Sequence, residues 1–369
     1  MNIAVDAGAL GVTDDRLKVG VYNFALNLLA NLSKYDRENK YLLYSFDKIP
    51  ADVLKKFGTN FINIILRPRK GWFNIRLSLE FLIHKPDLFL GLSQALPFYH
   101  PMKSIIYVHD LAFELYPQFY KDSYNRLSRQ TKFATKYAQK LVAVSNATKN
   151  DLVKLYKINP DKIEVIYHRI DLNSSTIRGV HSATSEVSLS ITKAYFLFVG
   201  SYKPIKNIPN IIKAFKHFLQ EIKKPYKLIL AGSDYWMDDK IQMTIKELKL
   251  EKLIKLVGFV KDEDLPGLYR GATAFVSPSH YEGFGMPLLE AMASGTPVIT
   301  SDRGSIPEVV GDSAIIVDPG NVHEIKKAML TISTNEKLRS QLIKKGLRQA
   351  QKFSWEKSAN ELLKLINTI

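Results

Sequence analysis

The chain has 369 residues, 46% of them hydrophobic, enough to fill two cores of ordinary size. It contains no cysteine, which excludes a disulfide framework, thiolate metal sites and a cysteine nucleophile and accords with a reducing compartment. The formal net charge is +16, of which residues 1–193 carry 27 − 17 = +10, an excess suited to nucleic acid, anionic lipid or phosphorylated substrates.

The opening Ile3-Ala4-Val5 is a short apolar run, expected to be a strand, with no basic segment before it of the kind that begins a signal peptide. No stretch of eighteen apolar residues follows, so no membrane span is expected and the cytoplasm is the default location. After a turn at Lys18-Val19-Gly20, the apolar residues Val21, Phe24, Ala25, Leu28, Leu29 and Leu32 recur at helical spacing. Gly20 either shapes this turn or lets the backbone come close to a ligand. Further short strands are predicted at Tyr41–Ser45, Leu88–Leu90, Ser104–Val108 and Leu141–Val144, alternating with amphipathic stretches. That is the pattern of a parallel sheet covered on both faces. Between Phe119 and Lys140, six basic side chains face a single acidic one, Asp122. Arg129, Lys132, Lys136 and Lys140 fall on one helical face, with Tyr120, Tyr124, Leu127 and Tyr137 among them. This composition fits a solvated basic face or a helix lying on an anionic bilayer. Leu66–Arg76, basic with adjacent Trp72 and Phe73, is a second such stretch. Ser145 and Asn146 are good N-caps for the helix that follows Leu141–Val144.

Nine residues between Leu172 and Lys193 are Ser or Thr, and an exposed linker is expected there. A second run of strands, Tyr195–Val199, Lys227–Ala231, Lys255–Leu256, Ala274–Ser277, Pro297–Thr300 and Ala314–Val317, alternates with helices. Ligands of open parallel sheets bind beyond the carboxyl ends of the strands, where Gly200, Gly232, Glu282 and Ser301 fall. After Ala274–Ser277 comes Glu282-Gly283-Phe284-Gly285-Met286-Pro287-Leu288-Leu289-Glu290. Gly283 and Gly285 lack Cβ atoms, so backbone N–H groups of the turn Gly283–Met286 can approach a ligand. Pro287 suits the first turn of a helix, whose terminal N–H donors and dipole favour a diphosphate. Glu290, one turn further in, can accept two hydroxyls of a ribose. Glu282 would face whatever hangs from the diphosphate. Taken alone, the two glutamates are no more than a loop carboxylate and one that complements a helix dipole. Asp262-Glu263-Asp264 precedes Leu265-Pro266 and is expected to cap that helix rather than bind a metal. Neither half has G-x-G-x-x-G after its opening strand, which argues against a dinucleotide oxidoreductase.

The stretch from Ser277 to Val298, with Tyr281-Glu282-Gly283-Phe284-Gly285-Met286-Pro287 and Glu290-Ala291 within it, resembles the nucleotide-sugar motif of the large retaining glycosyltransferase family 4. Gly304-Ser305-Ile306-Pro307-Glu308 and Val317-Asp318-Pro319-Gly320 keep that family's order and spacing. Phe196–Gly200 followed by Lys206-Asn207 resembles the strand and turn that open the family's second domain, and the resemblance places Lys206 on the donor diphosphate. Where an arginine usually accompanies that lysine, this chain has Ser201 and Ile205. Lys203 is the nearby substitute, a point charge in place of a planar fork. Ile105–Leu111 resembles the strand ending in a histidine, here His109, that faces the donor sugar. Outside that context, a strand-end histidine bonded to a backbone carbonyl is the simpler reading. His168-Arg169-Ile170-Asp171 departs from the family's Asn-Gly-Val-Asp and is assigned no chemistry. The likeness is strong over residues 195–320 and looser over 1–171.

The resemblance implies the GT-B fold, an α/β architecture of two Rossmann-like, doubly wound parallel-sheet domains facing a central cleft. The acceptor-binding domain is expected at 1–185, the nucleotide-sugar domain at 186–352, and a terminal helix, 353–369, crossing back to the first. The implied activity is retaining, metal-independent transfer of a hexose from a nucleoside diphosphate sugar to a hydroxyl, the acceptor being a lipid-linked glycan in polysaccharide or glycoconjugate synthesis. The detailed pattern, including the Pro-x-Lys-Asn form at Pro204–Asn207, is most like the mannosyltransferase-type members that build bacterial surface polysaccharides. Lys206 and the turn at 283–286 would offset charge on the leaving diphosphate. Glu282 would position the sugar hydroxyls, Glu290 the ribose, and His109 the sugar with its developing positive charge; Gly20 would lie near the donor phosphate. No cofactor and no obligatory metal are expected. The expected partners are the nucleotide sugar, the glycan acceptor and an anionic membrane face, with no nucleic acid. Two alternatives stay open: a nucleotide-sugar epimerase or phosphorylase on the same fold, and a catalytically silent subunit that binds a membrane or partner through its basic domain.

Overall fold

Short apolar runs, buried on both faces, set the strands of this protein. The computed structural model describes residues 1–14, 18, 20–168, 194–232 and 238–369. The expected linker at 172–193 and the expected boundary at 185–186 lie outside those residues. The chain divides into two units, Met1–His168 with Trp355–Ile369, and Arg169–Ser354.

The first unit carries seven parallel strands among the described residues: β1 (Asn2–Asp6), β2 (Lys40–Ser45), β3 (Phe61–Ile65), β4 (Leu88–Gly91), β5 (Lys103–Val108), β6 (Lys140–Ala143) and β7 (Ile163–Val165). Their order is β3-β2-β1-β4-β5-β6-β7. The five inner strands are those expected from the sequence. β3 and β7, which were not expected, are the two edges. The apolar run of β3 is broken by Asn63, whose amide donates to the Leu43 carbonyl at 2.9 Å and to Ser45 Oγ at 2.8 Å. β7 has only three residues, one of them the exposed Glu164. At these two edges the strand is covered on fewer sides and carries less unbroken apolar sequence, so a search for apolar runs passes over both.

Helix α1 (Gly20–Tyr35) buries Phe24, Leu28, Leu29 and Leu32, and the terminal helix Trp355–Thr368 packs beside it. Helix α2 (Leu77–Ile83) follows a π-helical turn at Trp72–Arg76. The basic helix α3 (Tyr124–Tyr137) is shorter than its charge pattern suggested, because the chain turns extended at Ala138, and Lys140 opens β6 instead of continuing the helical face. Its aromatic companions also point elsewhere. Tyr120, Tyr124 and Leu127 pack against the core, and only Tyr137 of the four is exposed. Helix α4 (Asn146–Tyr156) is capped as expected, with Thr148 N–H donating to Ser145 Oγ at 3.0 Å.

The second unit carries six parallel strands among the described residues: β8 (Ala194–Val199), β9 (Tyr226–Ala231), β10 (Ile254–Gly258), β11 (Ala274–Ser277), β12 (Val298–Thr300) and β13 (Ala314–Ile316). Their order is β10-β9-β8-β11-β12-β13. Helix α5 (Ile208–Glu221) lays Phe215 and Phe218 on the sheet, where Phe218 meets Phe196 and Tyr226 with ring centroids 5.0 Å apart in each pair. Each such ring, fully buried, contributes roughly 1.5–3 kcal/mol. Helix α6 (Leu265–Gly271) starts at Asp264, whose own side chain makes no cap hydrogen bond. Asp264 has helical backbone angles, whereas a capping carboxylate reaches the first N–H groups from extended backbone.

Each sheet reverses its strand order once, between β1 and β4 and between β8 and β11. Loops leaving the carboxyl ends at such a point diverge and open a crevice. Among the described residues, no helix is long and apolar enough to cross a membrane.

Candidate active site

At the β8/β11 crevice the loop after β8 makes one 3-10 turn, Pro204–Lys206, and ends at Asn207 in the left-handed region at φ 62°. Asparagine tolerates that conformation better than most residues. The buried Asn207 amide donates to the carbonyls of Pro278 and Pro319 at 3.0 and 2.7 Å. Three strand-end loops are thereby joined next to Lys206. Lys206 Nζ donates to both carboxylate oxygens of Glu282 at 2.7 Å, and Ser279 Oγ donates to Oε1 at 2.7 Å. The two side chains assigned separately to diphosphate and sugar are thus one ion pair, with 21% and 12% of the side chains exposed. The Glu282 carbonyl accepts from the N–H and the hydroxyl of Ser305, both at 3.0 Å. Gly304 permits this approach, since a Cβ there would lie 2.3 Å from that carbonyl oxygen. Lys203 sits half-buried at the start of the 3-10 turn. The sequence reading found no arginine beside Lys206, but one does stand in the loop after β12, next to the Gly304-Ser305 pair that meets the Glu282 carbonyl. Arg303 pairs with Asp302 at 3.3 Å and Asp318 at 3.5 Å, and its charge adds to the burial that holds His280 below the usual histidine range.

Helix α7 (Met286–Ala293) begins at Gly285, left-handed at φ 92°, with Pro287 in its first turn. The ring of Phe284 is buried edge-on against Phe353, 5.9 Å between centroids. Phe284 can therefore offer a ligand its backbone but not its side chain. Met286, the first helical residue, is half-buried. Glu290 Oε2 accepts from the Tyr269 hydroxyl at 2.9 Å. Burial pushes the Glu290 carboxyl up to about 7; the Tyr269 bond opposes the rise and nearby Asp262 adds to it. Tyr269 is itself raised well above its usual value, first by burial and then by Glu290, so it stays protonated as a donor. Among the described residues, no group of three His, Asp or Glu side chains is arranged to hold a metal ion.

At the β1/β4 crevice His109 follows β5. Its Nε2 lies 2.7 Å from the Leu92 carbonyl, which can only accept, so Nε2 carries the proton. Nδ1 of the neutral ring is then an acceptor, and His168 Nε2–H donates to it at 3.3 Å. Burial lowers the pKa of both rings, that of His168 further because His109 is beside it. Phe24 stacks on His168 at 4.5 Å and stands edge-on to His109 at 4.8 Å. Both ring nitrogens of His109 are therefore engaged, one with the backbone carbonyl that the simpler reading expects. His168, to which the sequence reading assigned no chemistry, orients it.

The segment Leu92-Ser93-Gln94 was not singled out from the sequence either. Besides the Leu92 carbonyl, it supplies Gln94 Oε1, which accepts from His109 N–H at 3.1 Å, and Ser93 Oγ, which donates to Asp6 Oδ2 at 2.5 Å. Gln94 adopts φ +35°, a conformation that costs a non-glycine residue about 1–3 kcal/mol and recurs at functional sites. Gly20 is the exposed first residue of α1, with open space where a Cβ would stand.

A family profile described as Glycosyl transferases group 1 matches residues 184–349, and one described as Glycosyltransferase Family 4 matches residues 20–174. The chain is 30% identical to O-antigen chain mannosyltransferase B of Escherichia coli over 303 residues, 81% of this chain and 77% of that protein. It is 33% identical to O-antigen chain mannosyltransferase RfbU of Salmonella typhimurium over 230 residues, 62% of this chain and 60% of that one. It spans only about a third of a longer relative, a serotype-specific mannosyltransferase of Escherichia coli, with 28% identity and 33% of that protein covered. Among solved structures, sucrose-phosphate synthase from Thermosynechococcus elongatus superposes with a TM-score of 0.80 at 21% identity, over 100% of this chain and 98% of the other. WaaG, a glycosyltransferase involved in lipopolysaccharide biosynthesis, superposes with a TM-score of 0.79 at 14% identity, over 99% of each chain. At such identities these two likenesses speak for the fold.

Proposed function

This chain belongs to the glycosyltransferases of group 1 and family 4 and has the GT-B fold, and from that premise we propose that it moves a hexose, with retention, from a nucleoside diphosphate sugar to a hydroxyl of a growing glycan. Both O-antigen relatives are mannosyltransferases, which supports mannose as the sugar and a surface polysaccharide as the product. The same relatives support transfer over epimerisation, phosphorolysis or a silent role.

The observation that carries this reading is the Lys206–Glu282 pair beside the amino end of α7. A diphosphate oxygen and a carboxylate oxygen are both anionic acceptors, so Lys206 can exchange one for the other with little movement. As the bond from the sugar carbon to the diphosphate breaks, its electron pair stays on the phosphate oxygen, facing Lys206 and the N–H groups of the Gly283–Met286 turn. The acceptor oxygen bonds to the same face of the sugar, and its proton passes to that phosphate oxygen. Glu282, released by Lys206 and still held by Ser279, accepts from sugar hydroxyls, and Glu290 accepts from the ribose. These steps need neither a cofactor nor an obligatory metal.

For contact with an anionic membrane, the supporting face is built on the second of the two basic stretches read from the sequence, Leu66–Arg76, continued into α2. Ile75, Leu79, Leu82 and Ile83 are exposed along the Trp72–Arg76 turn and α2, with Arg67, Arg69 and Lys70 exposed in the segment just before them. An apolar stripe with a cationic rim suits an anionic bilayer. The double variant Leu79→Ser, Ile83→Ser is expected to lose sedimentation with phosphatidylglycerol vesicles.

The test of the donor site is thermal stabilisation by UDP, GDP, ADP and their sugar conjugates. One nucleotide at about one hundred times its Kd should stabilise by roughly 2.7 kcal/mol, and Glu290→Ala should abolish the shift at that concentration. Silence toward every nucleotide would falsify the donor-site reading.

A further inference from the structure

The carboxyl edge of the first sheet gathers groups that the donor reading does not use. Asp6, at the end of β1, is 6% exposed and accepts from Ser93 Oγ and, at 3.3 Å, from Gly8 N–H. These bonds occupy two of roughly four acceptor positions on its carboxylate. Trp72 closes on the same place. A Cβ built on Gly8 would lie 2.6 Å from Trp72 Cζ2 and 3.5 Å from Asp6 Oδ1, so indole and carboxylate converge where Gly8 has no side chain. The Trp72 ring is braced by Phe46 and Phe73, each 5.6 Å between centroids, and remains half-exposed. Its indole N–H has no hydrogen bond to any described residue, and neither has the amide NH2 of Gln94, whose oxygen is held by His109 N–H. All of this lies at the reversal point between β1 and β4, where sheets of this kind bind ligands.

We propose that Asp6, Gln94 and Trp72, with Ser93 and Gly8 holding Asp6 in place, form a subsite for a pyranose ring of the acceptor glycan. The chemistry selects a sugar. A pyranose offers an apolar C–H face to the indole and hydroxyls that both donate and accept, matching one carboxylate and two unpaired N–H donors. A phosphate or carboxylate ligand would meet Asp6 as a like charge, and a flat base would leave the carboxylate and amide without hydroxyls to bind. The inference rests on the transferase reading for the word acceptor, and the donor residues of the second unit take no part in it.

Saturation-transfer NMR on the full chain, with methyl α-D-mannopyranoside, glucopyranoside and galactopyranoside as probes, tests it directly. At least one glycoside should receive saturation at its ring C–H protons. Asp6→Asn and Trp72→Ala should each weaken that glycoside at least tenfold, while Trp72→Phe keeps most of the binding and all three variants keep the wild-type thermal response to nucleotide. Gln94→Gly removes the carboxamide without forcing the backbone, and it decides the matter should a buried substitution at Asp6 fail to fold. Stabilisation by nucleotide with no response to any glycoside overturns the subsite alone, as does binding that survives Asp6→Asn, Trp72→Ala and Gln94→Gly. Silence toward nucleotides overturns instead the reading on which the acceptor role rests.

Discussion

At the β8/β11 crevice an ammonium and a carboxylate are paired at 2.7 Å beside a helix amino end, whereas at the β1/β4 crevice burial holds the imidazoles of His109 and His168 below the usual histidine range and the Asp6 carboxylate accepts from the Ser93 hydroxyl and the Gly8 N–H. The two sheets reverse their strand order in the same way, yet their edges carry different electrostatics. The first arrangement can exchange its carboxylate for phosphate. The second places a carboxylate, an amide and an indole where hydroxyls find partners. The topology fixes where a ligand goes, and the side chains decide which chemistry arrives.

The largest effect that could break this contrast is at Lys206. Lys206→Ala should lower kcat by about 10²–10³-fold at saturating donor, the usual loss when one preorganised group facing a leaving oxygen is removed. It also leaves Glu282 without its cation, so Glu282→Gln in the same background should restore part of the lost thermal stability without restoring rate. Initial rates and melting curves of the two variants check both halves. A rate within threefold of wild type would mean that the ammonium serves the fold and not the leaving group.

Next in size is Glu290→Gln, expected to weaken the donor nucleotide roughly 10–100-fold, the scale of a charge-assisted hydrogen bond of about 1.5–3 kcal/mol. Its pH dependence separates the two edges. The carboxyl is pushed up to about 7 from 4.5, so the folded protein holds a proton there that the unfolded chain has released. That contribution to stability is full below pH 4.5 and is lost as pH rises through about 7. The histidines act in the opposite sense. Burial lowers the pKa of His109 and His168 from 6.5, so their contribution is present above that pH and is lost as pH falls below it. Hydrogen exchange followed unit by unit between pH 5 and 8 should show the second unit losing more stability with rising pH in wild type than in Glu290→Gln, with the first unit unchanged by that substitution.

The two edges also differ in how much of them can be read from the chain alone. Glu282, Gly283, Gly285, Pro287 and Glu290 lie within nine residues, on one strand-end turn and the helix it starts, so local rules for glycine, proline and helix ends suffice to suggest a phosphate site. The pairing of Lys206 with Glu282 spans 76 positions and was beyond those rules. At the other edge Asp6, Leu92–Gln94, His109 and His168 come from four separate segments. Ser93 and Gln94 lie in a polar break after β4 that reads as an ordinary loop, and the φ of Gln94 leaves no trace in residue type. The strands followed the same logic. Those buried on both faces announce themselves as apolar runs, while β3 and β7 at the edges do not.

The smallest expected effect, and the sharpest on the first edge, is at His168. It acts through another residue: its Nε2–H fixes Nδ1 of His109 as acceptor, and Phe24 fixes its plane. His168→Asn can still offer an N–H but loses the stacked ring, so kcat should fall by roughly 2–10-fold, the worth of about one net hydrogen bond. His168→Ala leaves a half-buried ring nitrogen without its partner and should fall further, with a stability loss of about 1–3 kcal/mol. The nitrogen-15 shifts of His109 distinguish orientation from mere packing. In wild type and in His168→Asn they should report a single tautomer protonated at Nε2, and in His168→Ala a mixture, since the hydrogen bond that makes Nδ1 an acceptor is gone. A single tautomer in all three proteins would show that the Leu92 carbonyl alone orients the ring and that His168 only fills space beside Phe24.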